Sequence, residues 1–138
     1  MLFDAALEHI EPPAAPTQPD AWAEADRDVW ASERWDGEHM VAHLDFLASC
    51  LFDGSLPPTL ASITPSWEPR PRGFTAALVI VDGLLAGAVD PGVMRRWAHI
   101  PHLRELAAKA LEFRELAVAG AHSNSRSNFV RVSEIVSG

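Results

Sequence analysis

The sequence predicts an all-α fold: a small domain of about five helices with two proline-rich extended segments and, as its one candidate for β structure, a short C-terminal strand. Three observations predict it. Apolar residues recur at three- and four-residue spacing over residues 20–53 and 101–119, which is helical periodicity. Nine of the eleven prolines fall in two clusters, at positions 12–19 and 57–71, where they forbid regular structure. Phe74 to Val81 is the longest apolar stretch, and it suits a helix at the buried centre.

At 138 residues the chain fits one domain with a real core. An apolar fraction of 48% against 22% charged is the globular average and argues against wholesale disorder. No uncharged apolar run reaches the length of a membrane span. Asp4, Glu8 and Glu11 occupy the stretch where a secretory signal needs bases and then apolar residues, so the expected location is cytoplasmic.

Residues 1–19 read as an arm. Leu2, Phe3, Ala6, Leu7 and Ile10 lie at roughly helical spacing, and Pro12, Pro13, Pro16 and Pro19 then impose an extended chain. Residues 20–138 read as the helical domain. Asp20 caps a first helix to about Trp35, with Trp22, Ala25, Val29 and Trp30 on one face. A second helix, about 38–53, carries Met40, Leu44, Leu47 and Leu51 as a core stripe and ends at Asp53-Gly54. Cys50 is expected as a buried structural thiol on that helix. Residues 54–73 form a long proline-rich connection of a length usually reserved for functional or bound loops. Phe74–Gly87 is the central helix, although Val79, Ile80 and Val81 leave a strand open. Asp90-Pro91 starts a short helix to Trp97. Pro101 starts a longer one, with Leu103, Leu106, Ala107, Ala110 and Leu111 inward and Gly120 as its cap. Residues 123–128 read as a polar turn, and Phe129–Val136 as the strand.

Charge is split along the chain. Residues 1–68 hold 13 acids and only Arg27 and Arg34, whereas residues 69–138 hold 6 acids and 9 bases, for a total of −8. An acidic first half packing near a mildly basic second half accounts for this, as do two different charged partners. Ten of the eleven bases are Arg, and there are five Trp and no Tyr, a composition that suits an interface.

Candidate chemistry is sparse. His39 and His43, four apart on the predicted second helix, share a face, and His99 and His102 flank the entry to the long helix. Together they make a candidate Zn or Fe site of the kind helical bundles build, although His-Glu-x-x-His is absent. Asp82 inside the apolar helix needs a cationic partner, for which Arg95 or Arg96 is the expected choice. Leu84–Trp97 has the outline of a helix-turn-helix, in which Arg95 and Arg96 face nucleic acid; the net acidity disfavours it. No phosphate loop, nucleophile elbow or dinucleotide fingerprint is present. The expected function is therefore a non-catalytic protein-interaction or assembly component, such as an adaptor, structural subunit or acidic immunity-type inhibitor. Its partner is another protein or a second copy, contacted through Trp67, Arg70, Arg72 and Trp97. The alternatives are a metal-binding helical-bundle enzyme and a small DNA-binding regulator. For Trp67, a core position is the competing expectation.

Overall fold

The longest apolar run is a helix, and the other long helices gather round it and its neighbour. A computed structural model describes residues 19–31, 38–117 and 123–138. The expected N-terminal helix, the arm as far as residue 18, residues 32–35 of the expected first helix and the Gly120 cap lie outside the described residues. The first helix, expected to reach about Trp35, ends at Trp30 in a turn at Ala31. Six helices are present among the described residues: α1 (Pro19–Trp30), α2 (Phe46–Ser49), α3 (Phe74–Leu85), α4 (Val93–Arg96), α5 (Leu103–Ala117) and α6 (Ser123–Ser137). Four two-residue strands accompany them: β1 (His39–Met40), β2 (Cys50–Leu51), β3 (Thr59–Leu60) and β4 (Arg70–Pro71). The fold is thus mostly helical but mixed, with two small antiparallel ladders, β1–β4 and β2–β3. No helix among the described residues is long and apolar enough to cross a membrane.

α5 is the hub, because α1, α3 and α6 all pack against it. Its Leu106, Ala107, Ala110 and Phe113 are buried against Phe74, Leu78, Val81 and Leu84 of α3. Small alanines at the crossing let the helices approach closely, and the larger side chains fill the layers on either side. α3 stops where Gly87 adopts a left-handed φ of 70°. There the Gly87 amide donates to the Leu84 carbonyl and the Ala88 amide to the Gly83 carbonyl. That is the Schellman arrangement, and glycine enters it without steric cost. The strand alternative for Val79–Val81 does not occur.

The predicted helix over 38–53 is the largest correction. Only Phe46–Ser49 is helical, and the residues around it are extended. Leu44 N–H donates to the Thr64 carbonyl, Ser66 N–H to Ala42 and Arg72 N–H to Glu38; His43 bridges Pro65. The physical reason lies in the partner strand. Residues 57–71 carry five prolines and cannot satisfy their buried backbone groups in a helix, so they take an extended neighbour. Residues 38–44 supply it, and tertiary pairing overrides their helical pattern. The apolar stripe is dispersed as a result: Leu44 is buried, Leu47 half-buried, and Met40 and Leu51 exposed. Cys50 lies half-buried in β2, not on a helix. The proline-rich connection is itself structured, since it contributes β3, the bridge at Pro65 and β4.

Two Asp–Arg pairs fasten this extended segment to the helices. Asp26 of α1 is fully buried and receives Arg70 Nε at 2.9 Å and Nη2 at 3.0 Å, with the Trp67 amide at 2.7 Å. Arg114 of α5 donates two 2.8 Å bonds to Asp82 of α3 and a third, of 2.6 Å, to the Leu44 carbonyl. Asp82 therefore has the cationic partner that its burial demands, but that partner is Arg114 and neither Arg95 nor Arg96. Buried Lys109 is accommodated in the same way, donating to the Val29 carbonyl at 3.2 Å and sitting 4.7 Å over the Trp30 ring.

The predicted C-terminal strand is also a helix. In α6, Val132 and Val136 are buried and Phe129 half-buried, a three-and-four spacing that lays one face on α5. Val130 is exposed, whereas a strand would place it on the same face as Val132. Packing against α5 outweighs the β-branched composition, and the expected polar turn at 123–128 is the first part of this helix.

The Asp26–Arg70 pair carries a stability prediction. Arg70→Met leaves a bare carboxylate in the interior and is expected to cost about 3–5 kcal/mol in urea unfolding. Asp26→Asn/Arg70→Met, with no charge left behind and the Trp67 amide still accepted, is expected to cost less than the single variant. A loss below about 1 kcal/mol for Arg70→Met would show the pair to be incidental.

Candidate functional site

One side of α3 is left uncovered by α1, α5 and α6, and an apolar groove of about 530 Å³ opens there. A groove of this size is within the ordinary range for a binding pocket. Ala76, Val79 and Ile80 of α3 line it, with Phe46 of α2 at one wall. Met40 of β1 and Pro71 of β4 form a second wall, and Val93, Trp97 and Ile100 close the third. Gly73, at φ 98°, turns the chain into α3 beneath Ile100, and a Cβ there would come within 3.1 Å of the Ile100 side chain. Thr75 supplies the one hydroxyl in the lining, and that oxygen accepts the His43 amide at 3.0 Å. No carboxylate, imidazole, thiol or cationic side chain is among the lining residues. Met40, Val89 and Trp97 stay exposed at the edge.

Of the residues expected to meet a partner, Trp97 stands at this groove, 48% exposed, its ring 5.5 Å from that of His99. Trp67 is also exposed, so the core alternative does not hold; Arg27 lies 4.6 Å over its ring. Arg70 is not a surface contact, because it is buried on Asp26. Arg72 is exposed and paired with Glu38 at 2.7 Å. The structure thus places only Trp97 at the groove and leaves Trp67 elsewhere.

The histidines are not brought together as expected. His39 is in β1, and His43 follows in extended chain, so they share no helix face. His43 Nδ1 accepts the Asp45 amide at 3.0 Å, which assigns the proton to Nε2, where it is donated to the Ser62 carbonyl at 2.8 Å. Both ring nitrogens are engaged within the chain. His102 takes a left-handed φ of 58°, uncommon outside glycine, in the turn into α5. Among the described residues no three His, Cys, Asp or Glu side chains gather in a cluster fit for a metal.

The helix-turn-helix outline dissolves for a geometric reason. Its second helix is a single turn, Val93–Arg96. Arg96 is committed to Asp90 through two 3.0 Å contacts, and Arg95 is exposed beside it. The Arg96 hydrogen bond holds the Asp90 carboxyl below the usual carboxylate range. Burial pushes the Cys50 thiol up, which lowers its thiolate fraction and its reactivity.

The residues that sequence reasoning missed are Phe46, Ala76, Val79 and Ile80. A signal for them was present. The run from Phe74 to Val81 is apolar on every face, and such a helix is either wrapped on all sides or leaves an apolar face open.

His43 lies beside Phe46, the ring centroids 5.6 Å apart, and Asp45 interacts with His43, Asp82 and Arg114. Asp45 is pushed above the usual carboxylate range by burial, with Asp82 adding to the rise and Arg114 and His43 opposing it. A raised folded-state value means that the folded protein holds this proton more tightly than the unfolded chain. Its stabilisation is complete below the unfolded value, about 3.9, and is lost as pH rises through the folded value. Asp45→Asn is therefore expected to gain melting temperature relative to wild type between about pH 4 and pH 7. A difference that stays constant over that window would show Asp45 to be effectively solvated.

Comparison with known proteins places no relative beside this chain: no family model, curated protein or solved structure matches it.

Proposed function

We propose that this chain is a non-catalytic protein-interaction component that receives an apolar segment of its partner in the groove beside α3. The observation that carries the reading is the groove's chemistry. Its lining is apolar and offers a reaction no nucleophile, acid or base, apart from a Thr75 hydroxyl already engaged with the His43 amide. A wall of this kind contributes by removing apolar surface from water, about 1.5–3 kcal/mol for each large side chain fully buried. Trp97 and Met40, standing exposed at its edge, are suited to close over an occupant, and tryptophan is over-represented among residues that dominate interface energetics.

An apolar helix laid in a groove is one of the recurring modes of peptide recognition, read as anchors every third or fourth residue. The adaptor, structural-subunit and inhibitor roles all accommodate this mode, as does association with a second copy. The helical-bundle enzyme and the DNA-binding regulator draw no comparable support, because the paired histidines and the two-helix outline on which they rested are not formed.

The test uses tagged full-length chain recovered from its native host. Wild type is expected to bring down a partner in fixed ratio, and Met40→Asp/Trp97→Ala is expected to lose it at least tenfold with an unchanged melting temperature. Both substitutions fall on exposed side chains, so stability changes of no more than about 0.5 kcal/mol are expected. Trp67→Ala, outside the groove, is expected to retain the partner. Equal recovery by wild type and the groove variant would overturn the reading.

A further inference from the structure

Ile100, at the edge of the groove, also borders a second recess of about 500 Å³. There Arg95, His102, Arg104 and Glu105 stand around buried Met94 and Leu103. We propose that the partner segment received in the groove carries a carboxylate, from Asp or Glu, about one helical turn beyond its apolar anchors, and that Arg95 and Arg104 hold it. The inference rests on reading the groove as a docking site and names the chemistry of the segment that docks there.

Two observations join the recess to the groove. The first is the position of α4. Val93 and Trp97, four residues apart and linked by the Trp97 amide donating to the Val93 carbonyl at 3.1 Å, line the groove. Met94, Arg95 and Ala98 line the recess. Residues four apart share a face of a helical turn, so this single turn is a partition with one cavity on each of two adjacent faces. The second is Ile100, which lines both cavities and whose amide donates to the Trp97 carbonyl at 3.0 Å. A segment that leaves the groove past Trp97 and Ile100 therefore meets the recess within about one turn of helix, roughly 5.4 Å.

Charge complementarity sets the sign of the partner. Two cations next to groove-lining residues are already neutralised: Arg72, beside Pro71, holds Glu38 at 2.7 Å, and Arg96, beside Trp97, holds Asp90 at 3.0 Å. Arg95 is exposed and pairs with no carboxylate among the described residues. Arg104 donates from Nη1 to the Val136 carbonyl at 2.9 Å. That bond fixes the side chain but leaves its charge uncompensated. Glu105 is the one acid in the lining, against two arginines. The local excess is positive although the chain as a whole is −8. Charges more than about 8 Å away are screened at physiological salt, so the adjacent arginines outweigh the distant acids.

The two cavities divide the work. The groove removes apolar surface from water but has no free polar group to fix the direction in which a segment lies, since the Thr75 hydroxyl is engaged. A carboxylate at one end alone supplies that direction, because a guanidinium presents planar donors that match its two oxygens. Charged contacts at the rim of an interface set register and suppress wrong partners more than they add affinity.

The test selects peptides from a displayed random library, each long enough for about four helical turns, on the full-length chain. Enriched peptides are expected to carry apolar residues at three- and four-residue spacing, with Asp or Glu about one turn past one end. They are expected to lose binding to Met40→Asp/Trp97→Ala. Selection on Arg95→Glu/Arg104→Glu is expected to place Lys or Arg where the acid stood. In low salt, a synthetic copy of an enriched peptide is expected to bind wild type about threefold or more tighter than its acid-to-amide version. That preference is expected to vanish on Arg95→Glu alone, which keeps the Arg104–Val136 bond if the double variant melts early. Apolar peptides without the acid, or an acid whose replacement changes nothing, would overturn the inference and leave the docking reading standing. No enrichment, or enrichment that survives Met40→Asp/Trp97→Ala, would overturn both. Tighter binding of dodecanoate than of any peptide would assign the site to a small amphiphile, and dimerisation of the isolated chain lost in Met40→Asp/Trp97→Ala would assign it to a second copy. Either result would overturn the inference as well.

Discussion

Arg114 is the group on which the architecture turns. Its guanidinium leaves α5, forks onto Asp82 of α3 and reaches the Leu44 carbonyl with the same Nη2. One side chain thus joins the two central helices to the extended segment that crosses them. A bidentate guanidinium–carboxylate pair fixes orientation as well as distance. With the carboxylate on a helix interior, neither charge can be removed without leaving the other unpaired. Asp26 and Arg70 repeat the device between α1 and β4. Residues 38–72 contain few large buried apolar side chains, Leu44 being the main one, and the two ion pairs supply the anchorage that a larger core would otherwise provide.

The groove is a consequence of that anchorage. α3 is apolar apart from Thr75 and Asp82, and α1, α5 and α6 cover only part of it. The segment held by Arg70 and Arg114 brings Met40, Phe46 and Pro71 alongside the remaining face without closing over it. What results is an apolar recess with an exposed Trp97 at its edge, suited to burying part of another chain and ill suited to moving protons. The proposed partner exploits this incomplete coverage of one helix.

How much of this was legible in the sequence follows from which interactions are local. α1, α3 and α5 were legible because their apolar spacing and their punctuation by Pro19, Gly87 and Pro101 act over a few residues. The extended segment was not, because Met40, Leu44, Leu47 and Leu51 satisfy a helical template, while the backbone partners of Met40 and Leu44 are Arg70 and Thr64, thirty and twenty residues on in a proline-rich stretch. α6 was misread for the converse reason: Val130, Val132 and Val136 favour a strand locally, and only the face presented by α5 selects the helix. For the site, Trp97 was picked out from composition, but Val79 and Phe46 were not, since an apolar residue in a core and one in an open groove look alike in sequence. The demand for a cation beside Asp82 was readable from burial cost alone; its identity as Arg114, 32 residues away, was not.

The central claim is that residues 38–72 are an integral wall of the fold, held as firmly as the helices. Native-state hydrogen exchange resolved by residue tests it most directly, through the amides of Ala42, His43, Leu44 and Trp67, which donate to Ser66 Oγ, Thr75 Oγ1, the Thr64 carbonyl and Asp26 Oδ2. The account predicts that these four exchange as slowly as the amides at the centre of α3 and α5, opening only with global unfolding. Exchange within about tenfold of free-peptide rates at these positions, with α3 and α5 still protected, would contradict it.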